Sequence, residues 1–225
     1  MNNSYESAEI LASRLLELTN PVDDQGIVYN FAKGFASFPV TLYWLGYDFI
    51  HAEDRSANLD DKFRFAKLIK SEKKLNDSLK LIVETVVSIF ISKIDMEAIA
   101  SMSIPVASSF AGKLAFARVS QVSLGKLITS RIVGSTISGW VFGGLLTIGG
   151  EVSKAIYTSR ELRDRNQSLY YTLKNMGDLD LLYFLVQEKL EPIEDACKLA
   201  AYNRVEFNAV CKYFLEGLDK NAQYN

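Results

Sequence analysis

The sequence predicts an all-α protein, a helical bundle with a central glycine-rich apolar helical hairpin. Three observations point there. The chain's 225 residues include only four prolines, at positions 21, 39, 105 and 192. Between them, apolar side chains recur mostly three and four residues apart, the spacing that gathers them on one face of a helix. Nineteen consecutive uncharged residues then run from Ile132 to Gly150. This length supplies a sizeable core. The expected organisation is a single helical domain over 1–225, with a candidate membrane-inserting hairpin at 98–150 and a C-terminal helical subdomain at 166–219.

The elements follow in order. Asn3 and Glu6 have the spacing of a capping pair for a first helix. Ala8, Leu11, Leu15 and Leu18 form its apolar stripe, and Asn20-Pro21 ends it. Asn58 and Asp61 are candidate caps of a further helix. Leu75, Leu79, Ile82, Val86 and Ile89 then repeat at three and four, the pattern of an amphipathic helix. The β-branched stretch Ile82–Ile94 also admits a strand, but its periodicity continues that of the lysine-rich residues before it and favours helix. After Glu151 the chain turns hydrophilic, and Arg160, Glu161, Arg163, Asp164 and Arg165 suggest a solvated helix. Leu179–Leu190, Pro192–Tyr202 and Val205–Leu218 read as three short helices. Pro192 suits a first turn, where its missing N–H would have no intrahelical partner anyway.

The charge-free run is the informative segment. About 20 apolar residues span a bilayer's hydrocarbon as a helix, so 132–150 is just long enough. Six of its residues are glycine, each weakening a helix in water by roughly 1 kcal/mol relative to alanine. Ser135, Gly139, Gly143 and Thr147 recur every fourth residue and make one smooth ridge, with Gly134 and Gly144 beside it. Such ridges let helix backbones approach closely in lipid. Ile137, Trp140, Val141, Leu145 and Ile148 lie on the other side. The same composition also fits a buried central helix of a soluble bundle.

The residues before this run extend the pattern. Ala98–Gly112 holds 15 uncharged residues, many small, interrupted by Pro105. Across Ala98–Gly150 the only charges are Lys113, Arg118, Lys126 and Arg131. These four cations suit anionic headgroups or a pore mouth, each contributing about 1 kcal/mol near a charged surface; a merely solvated face is the plainer alternative. Gly34–Tyr47 is also uncharged and lies in an aromatic region with Tyr29, Phe31, Phe35, Phe38, Tyr43, Trp44, Tyr47 and Phe49. Core or partner packing is the expected role there, and Pro39 argues against a span.

Other function classes find little support. A formal net charge of −2 gives no electrostatic footprint for nucleic acid. His51 is the sole histidine, which removes histidine-pair metal sites, and no catalytic residue, metal site or cofactor is expected. Ser123-Leu124-Gly125-Lys126-Leu127 lacks the upstream glycine and following hydroxyl of a phosphate loop. Gly134-Ser135-Thr136-Ile137-Ser138-Gly139 lacks the spacing of a nucleophile elbow. Asp60 with Asp61, and Asp178 with Asp180, each look like a helix start. Cys197 and Cys211 are expected to be reduced and buried. The N-terminal residues do not read as a secretory signal, so synthesis in the cytoplasm is expected.

The glycine-rich run Gly134–Gly150 and the small-residue approach Ser101–Gly112 resemble, in outline, helical pore-forming bacterial toxins. The similarity is to the membrane-depolarising effectors delivered by type VI secretion and, more distantly, to colicin pore-forming domains. It covers under a quarter of the chain. The resemblance implies a soluble form that hides an apolar hairpin, delivery by a specialised secretion system, insertion into a target cell's inner membrane and ion leakage. It also implies a cognate immunity protein and self-association in the bilayer. Two further readings are a soluble helical binding protein, of immunity or adaptor type, and a resident membrane protein.

Overall fold

The computed structural model describes residues 7–19, 55–68, 72–102, 125–134, 136 and 148–223. Those residues are helical with no strand among them, so the protein is all-α, as predicted. The helices are α1 (Ala8–Glu17), α2 (Arg55–Leu68), α3 (Glu72–Lys93) and α4 (Met96–Ser101), α5 at 125–134, α6 (Ile148–Arg165), α7 (Gln167–Asn175), α8 (Gln187–Tyr202) and α9 (Arg204–Gln223). A 3₁₀ helix, Leu179–Leu185, lies between α7 and α8. Contacts group the chain into two compact units. Unit one takes the described residues of Met1–Pro21, Glu84–Arg131 and Lys189–Asn225; unit two takes those of Val22–Val83 and Ile132–Glu188.

In unit one, α1 lays Ala8, Leu11, Ala12 and Leu15 into the core and packs along α9. Its cap is Ser7, whose hydroxyl accepts from the Ile10 N–H; the predicted Asn3–Glu6 pair lies outside the described residues. The approach to α9 is close. A Cβ on Gly217 would run into the end of the Leu16 side chain, which would have to turn away to admit it. Arg14 joins α1 to α8 through Glu191 at 3.1 Å and Asp195 at 3.5 Å. Phe90 of α3 is fully buried and meets Phe207 and Phe214 of α9 edge-on, with centroids 6.2 and 6.3 Å away. Aromatic pairs favour that geometry.

The sequence reading needs a correction at Pro192. Pro192 lies inside α8, which begins at Gln187, rather than in a first turn. A helix-interior proline costs about 3 kcal/mol, and burial of Pro192 itself with Leu190, Ile193, Ala196 and Leu199 offsets it. The helix after it starts at Arg204, with the Asn203 side chain accepting from the Glu206 N–H at 3.1 Å. The preference for helix over strand at Ile82–Ile94 holds, since α3 runs unbroken to Lys93. Its buried face is Leu79, Ile82, Val83, Val86, Val87 and Phe90, while Ile89 falls on the exposed side.

In unit two, α6 packs on α2, α7 and the 3₁₀ helix. Ala155, Ile156 and Leu162 are fully buried, so α6 is a core helix with a charged outer face formed by Glu161, Arg163, Asp164 and Arg165. Asn166 caps α7 by accepting from the Leu169 N–H. The chain then reverses through Gly177, with φ at +101°, a region that favours glycine. Asp178 follows at φ 65°, a left-handed conformation that aspartate tolerates better than most side chains. The Asp60–Asp61 pair is not a helix start, and Asn58 and Asp61 are not caps. All three lie within α2, which begins at Arg55.

Candidate functional site

The predicted membrane-insertion residues fall largely outside the described residues. This holds for Ser135, Gly139, Gly143, Gly144 and Thr147, and for Lys113 and Arg118 among the predicted basic residues. Gly134 is described: it is helical and exposed, with nothing within 4 Å of the Cβ it lacks. Lys126 is exposed and Arg131 half-buried on α5, whose opposite side buries Ile128, Thr129 and Ile132. At the far end of the charge-free run, Ile148, Gly149 and Gly150 form the first turn of α6. Among the described residues, no helix is long and apolar enough to cross a membrane.

The densest charged arrangement among the described residues was not predicted as a site. In unit two, Arg64 of α2 donates from all three guanidinium nitrogens. Nε reaches Asp178 Oδ1 at 2.6 Å, Nη1 reaches Asp61 Oδ1 at 2.6 Å, and Nη2 reaches Asp180 Oδ1 at 2.7 Å. Asp180 is completely buried, and its second oxygen accepts from the Ser159 hydroxyl at 2.6 Å. Arg160 adds a second guanidinium 3.6 Å from Asp61. Asp178 stands at the N-cap position of the 3₁₀ helix, but its carboxylate serves Arg64 rather than the backbone. Burial disfavours the charged guanidinium of Arg64. Its hydrogen bonds to Asp178, Asp61 and Asp180, together with the field of Asp180, outweigh that and raise its pKa further above the ordinary value.

Chemically this cluster is closed on itself. Each guanidinium nitrogen donates to a carboxylate and both oxygens of Asp180 accept, so it ties α2, α6 and the turn after α7 together. Beside it opens a cleft of about 330 Å³, lined by Arg64, Lys67, Leu68, Asp77, Ser78, Gly177 and Asp178. Leu68 and Gly177 aside, the lining is polar or charged, unlike the mostly apolar walls of small-molecule sites. In the same unit Phe65 and Phe184 pack with centroids 6.3 Å apart, and Lys154 lies 5.6 Å over the Phe184 ring.

Unit one carries a second charged arrangement, along α9. Arg204, Asn208, Lys212 and Glu216 recur every fourth residue and so share one side of the helix. Asn208 and Lys212 are buried, Lys212 at 2 % exposure. Lys212 Nζ donates to the Met102 carbonyl at 3.0 Å, and Arg204 Nη2 donates to the Lys93 carbonyl at 2.7 Å. Asn208 Oδ1 and Glu216 Oε1 are buried without a hydrogen-bond partner. The predicted burial of the two cysteines fits Cys211, which is fully buried, better than Cys197, which is only half-buried. Burial pushes the thiols up to about 12 and about 11, respectively.

Sequence reading missed both arrangements, although each left a trace. Val210-Cys211-Lys212-Tyr213-Phe214 sets a lysine in an apolar run, which marks a cation that must find an acceptor. The Asp178–Asp180 pair marks a site needing a counter-charge. Comparison with protein-family models, with curated proteins and with solved structures returned no match for this chain.

Proposed function

We propose that this protein is a pore-forming antibacterial toxin that inserts residues 98–150 into a target cell's inner membrane and conducts ions. The observation that carries the proposal is the charge-free, glycine-rich run 132–150, bounded by Arg131 and Glu151. Six glycines are a poor investment for a helix in water, whereas in lipid a small-residue ridge brings backbones together. The helices packed before and after the run supply the soluble form such a protein needs before it meets a membrane. Ser135, Gly139, Gly143 and Thr147, with Gly134 and Gly144, form the association ridge. Ser135, Thr136, Ser138 and Thr147 supply polar groups to a conducting path. Lys113, Arg118, Lys126 and Arg131 meet anionic headgroups or the pore mouth. Delivery through a specialised secretion system and a cognate immunity protein in the producing cell complete the proposal.

Ion flux into vesicles of phosphatidylethanolamine and phosphatidylglycerol, read with a potential-sensitive dye, tests it. The wild-type chain is expected to dissipate an imposed potential. Gly139→Leu/Gly143→Leu should abolish flux with an unchanged far-ultraviolet spectrum, because the ridge can no longer close. Full flux from the double variant would rule out the ridge.

A second reading has one observation in its favour. Ile132 and Thr136, the described buried positions within the charge-free run, pack as core residues, as they would in a soluble helical binding protein of immunity or adaptor type. Vesicle flotation separates the two: the binding protein stays with the soluble fraction when lipid is present.

A further inference from the structure

We propose that the charged cleft of unit two is a headgroup site for phosphatidylethanolamine, and that the exposed apolar row of α2 beside it receives the start of the acyl chains. The pore-forming reading supplies only the purpose, a first hold on the target membrane. The site itself rests on α2, α3 and the turn after α7.

The cleft, of about 330 Å³, takes Arg64, Lys67 and Leu68 from α2, Asp77 and Ser78 from α3, and Gly177 and Asp178 from the turn. Its charged lining is therefore balanced, cations on one helix and carboxylates on the other elements. Arg64 is engaged by Asp61, Asp178 and Asp180, whereas Lys67 is exposed. Asp77 is exposed on α3, and Asp178 accepts from Arg64 through Oδ1 alone. A purely anionic ligand would meet the two carboxylates, and a purely cationic one the α2 wall. A short zwitterion satisfies both sides: its phosphate at Lys67 and the Ser78 hydroxyl, its ammonium at Asp77 and Asp178. Charge-assisted hydrogen bonds of this kind are the strong ones. Phosphoethanolamine, a phosphate joined to a primary ammonium by an ethylene link, has that form.

The neighbouring surface of α2 distinguishes a lipid from a free zwitterion. Leu59, Phe63 and Lys67 are spaced four residues apart and so lie along one side of the helix. Leu59 is 55 % exposed and Phe63 62 %. Apolar surface in line with a charged site marks a ligand with a polar head and an apolar body. A small soluble zwitterion would leave this pair in water; a phospholipid headed into the cleft covers it.

Binding of dihexanoylphosphatidylethanolamine to the full-length chain, below the lipid's micelle concentration, is measured by calorimetry beside the phosphatidylglycerol and phosphatidylcholine of the same chains. The ethanolamine lipid is expected to bind at least about tenfold more tightly than either, because glycerol brings no cation and choline no N–H donor. Asp77→Asn should bring it down to the level of the phosphatidylglycerol. Lys67→Ala, which removes the phosphate partner, should weaken it by roughly tenfold, and Phe63→Ser by a similar factor through lost apolar contact. All three side chains are exposed, so the far-ultraviolet spectrum should not change. Absence of binding, equal binding of the ethanolamine and glycerol lipids, or full affinity in Lys67→Ala would overturn the headgroup site. Full affinity in Phe63→Ser would overturn the acyl-chain row. Ion flux judges the pore separately: selective binding without flux removes the pore-forming reading and keeps the site, and flux without selective binding does the reverse.

Discussion

Arg64 in unit two and Lys212 in unit one are both buried or half-buried cations, yet the fold treats them differently. Arg64 is surrounded by the carboxylates of Asp61, Asp178 and Asp180, and Asp180 in turn accepts from Ser159 of α6. Lys212 Nζ donates a hydrogen bond to the Met102 carbonyl, on a side of α9 where Asn208 Oδ1 and Glu216 Oε1 go unpaired. The first arrangement is a staple, costly to break and costly to leave broken. The second reaches a neutral carbonyl at 3.0 Å. The difference is one of kind: a closed ion cluster joins the helices around Arg64, and a cation-to-carbonyl contact joins α9 to the end of α4.

The comparison is broken most severely at the staple. Arg64→Ala should destabilise unit two by about 3–5 kcal/mol, because it leaves Asp180 buried with its charge uncompensated. Denaturant unfolding followed by circular dichroism measures this. A loss below about 1 kcal/mol, the size typical of exposed pairs, would make the cluster ornamental. Lys212→Met should cost less, about 1–3 kcal/mol in the same measurement, because it leaves the Met102 carbonyl without this donor.

A smaller effect concerns the buried side of α9. Burial holds the Cys211 thiol at about 12, above its ordinary value near 9, so the folded chain keeps a proton that the unfolded chain releases. Stability from this group is therefore fully present below about pH 9 and lost as pH rises toward 12. Cys211→Ala should flatten that part of the stability profile. An identical alkaline slope in the variant would contradict the burial.

The smallest effect concerns Gly134. It is helical and exposed, and the space a Cβ would fill is open, so Gly134→Ala should stabilise the soluble form by up to about 1 kcal/mol. Gly217 gives the opposite case, since Leu16 occupies the corresponding space. A thermal scan of Gly134→Ala that shows destabilisation would mean the position is packed.

Local periodicity made most of the helical architecture legible. The threes and fours from Leu75 to Val86, the stripe of α1 and the hydrophobic spacing of α8 and α9 depend on near neighbours in the chain, and helices satisfy their backbone locally. Caps were less legible. Ser7 caps α1, and α2 begins at Arg55 rather than near Asn58, because several polar residues near each terminus offer the same chemistry. The charged arrangements were beyond sequence spacing altogether. Arg64 meets Asp178 and Asp180 across 114 and 116 residues, and Lys212 meets Met102 across 110. Aspartate pairs and a lysine among apolar residues signal that a partner exists without saying which. Of the predicted insertion and basic residues, the structure describes Gly134, Lys126 and Arg131, all on or beside α5.

The central claim, that residues 98–150 make a bilayer leak ions, is tested most directly by measuring membrane potential in bacterial cells that carry this protein in the periplasm. A dye too large for a small pore is followed in the same cells. Depolarisation with the dye still excluded, abolished by Gly139→Leu/Gly143→Leu, is the predicted result. An undisturbed potential, with the folded protein present in the periplasm, would contradict the account and leave the soluble binding protein as the reading to pursue.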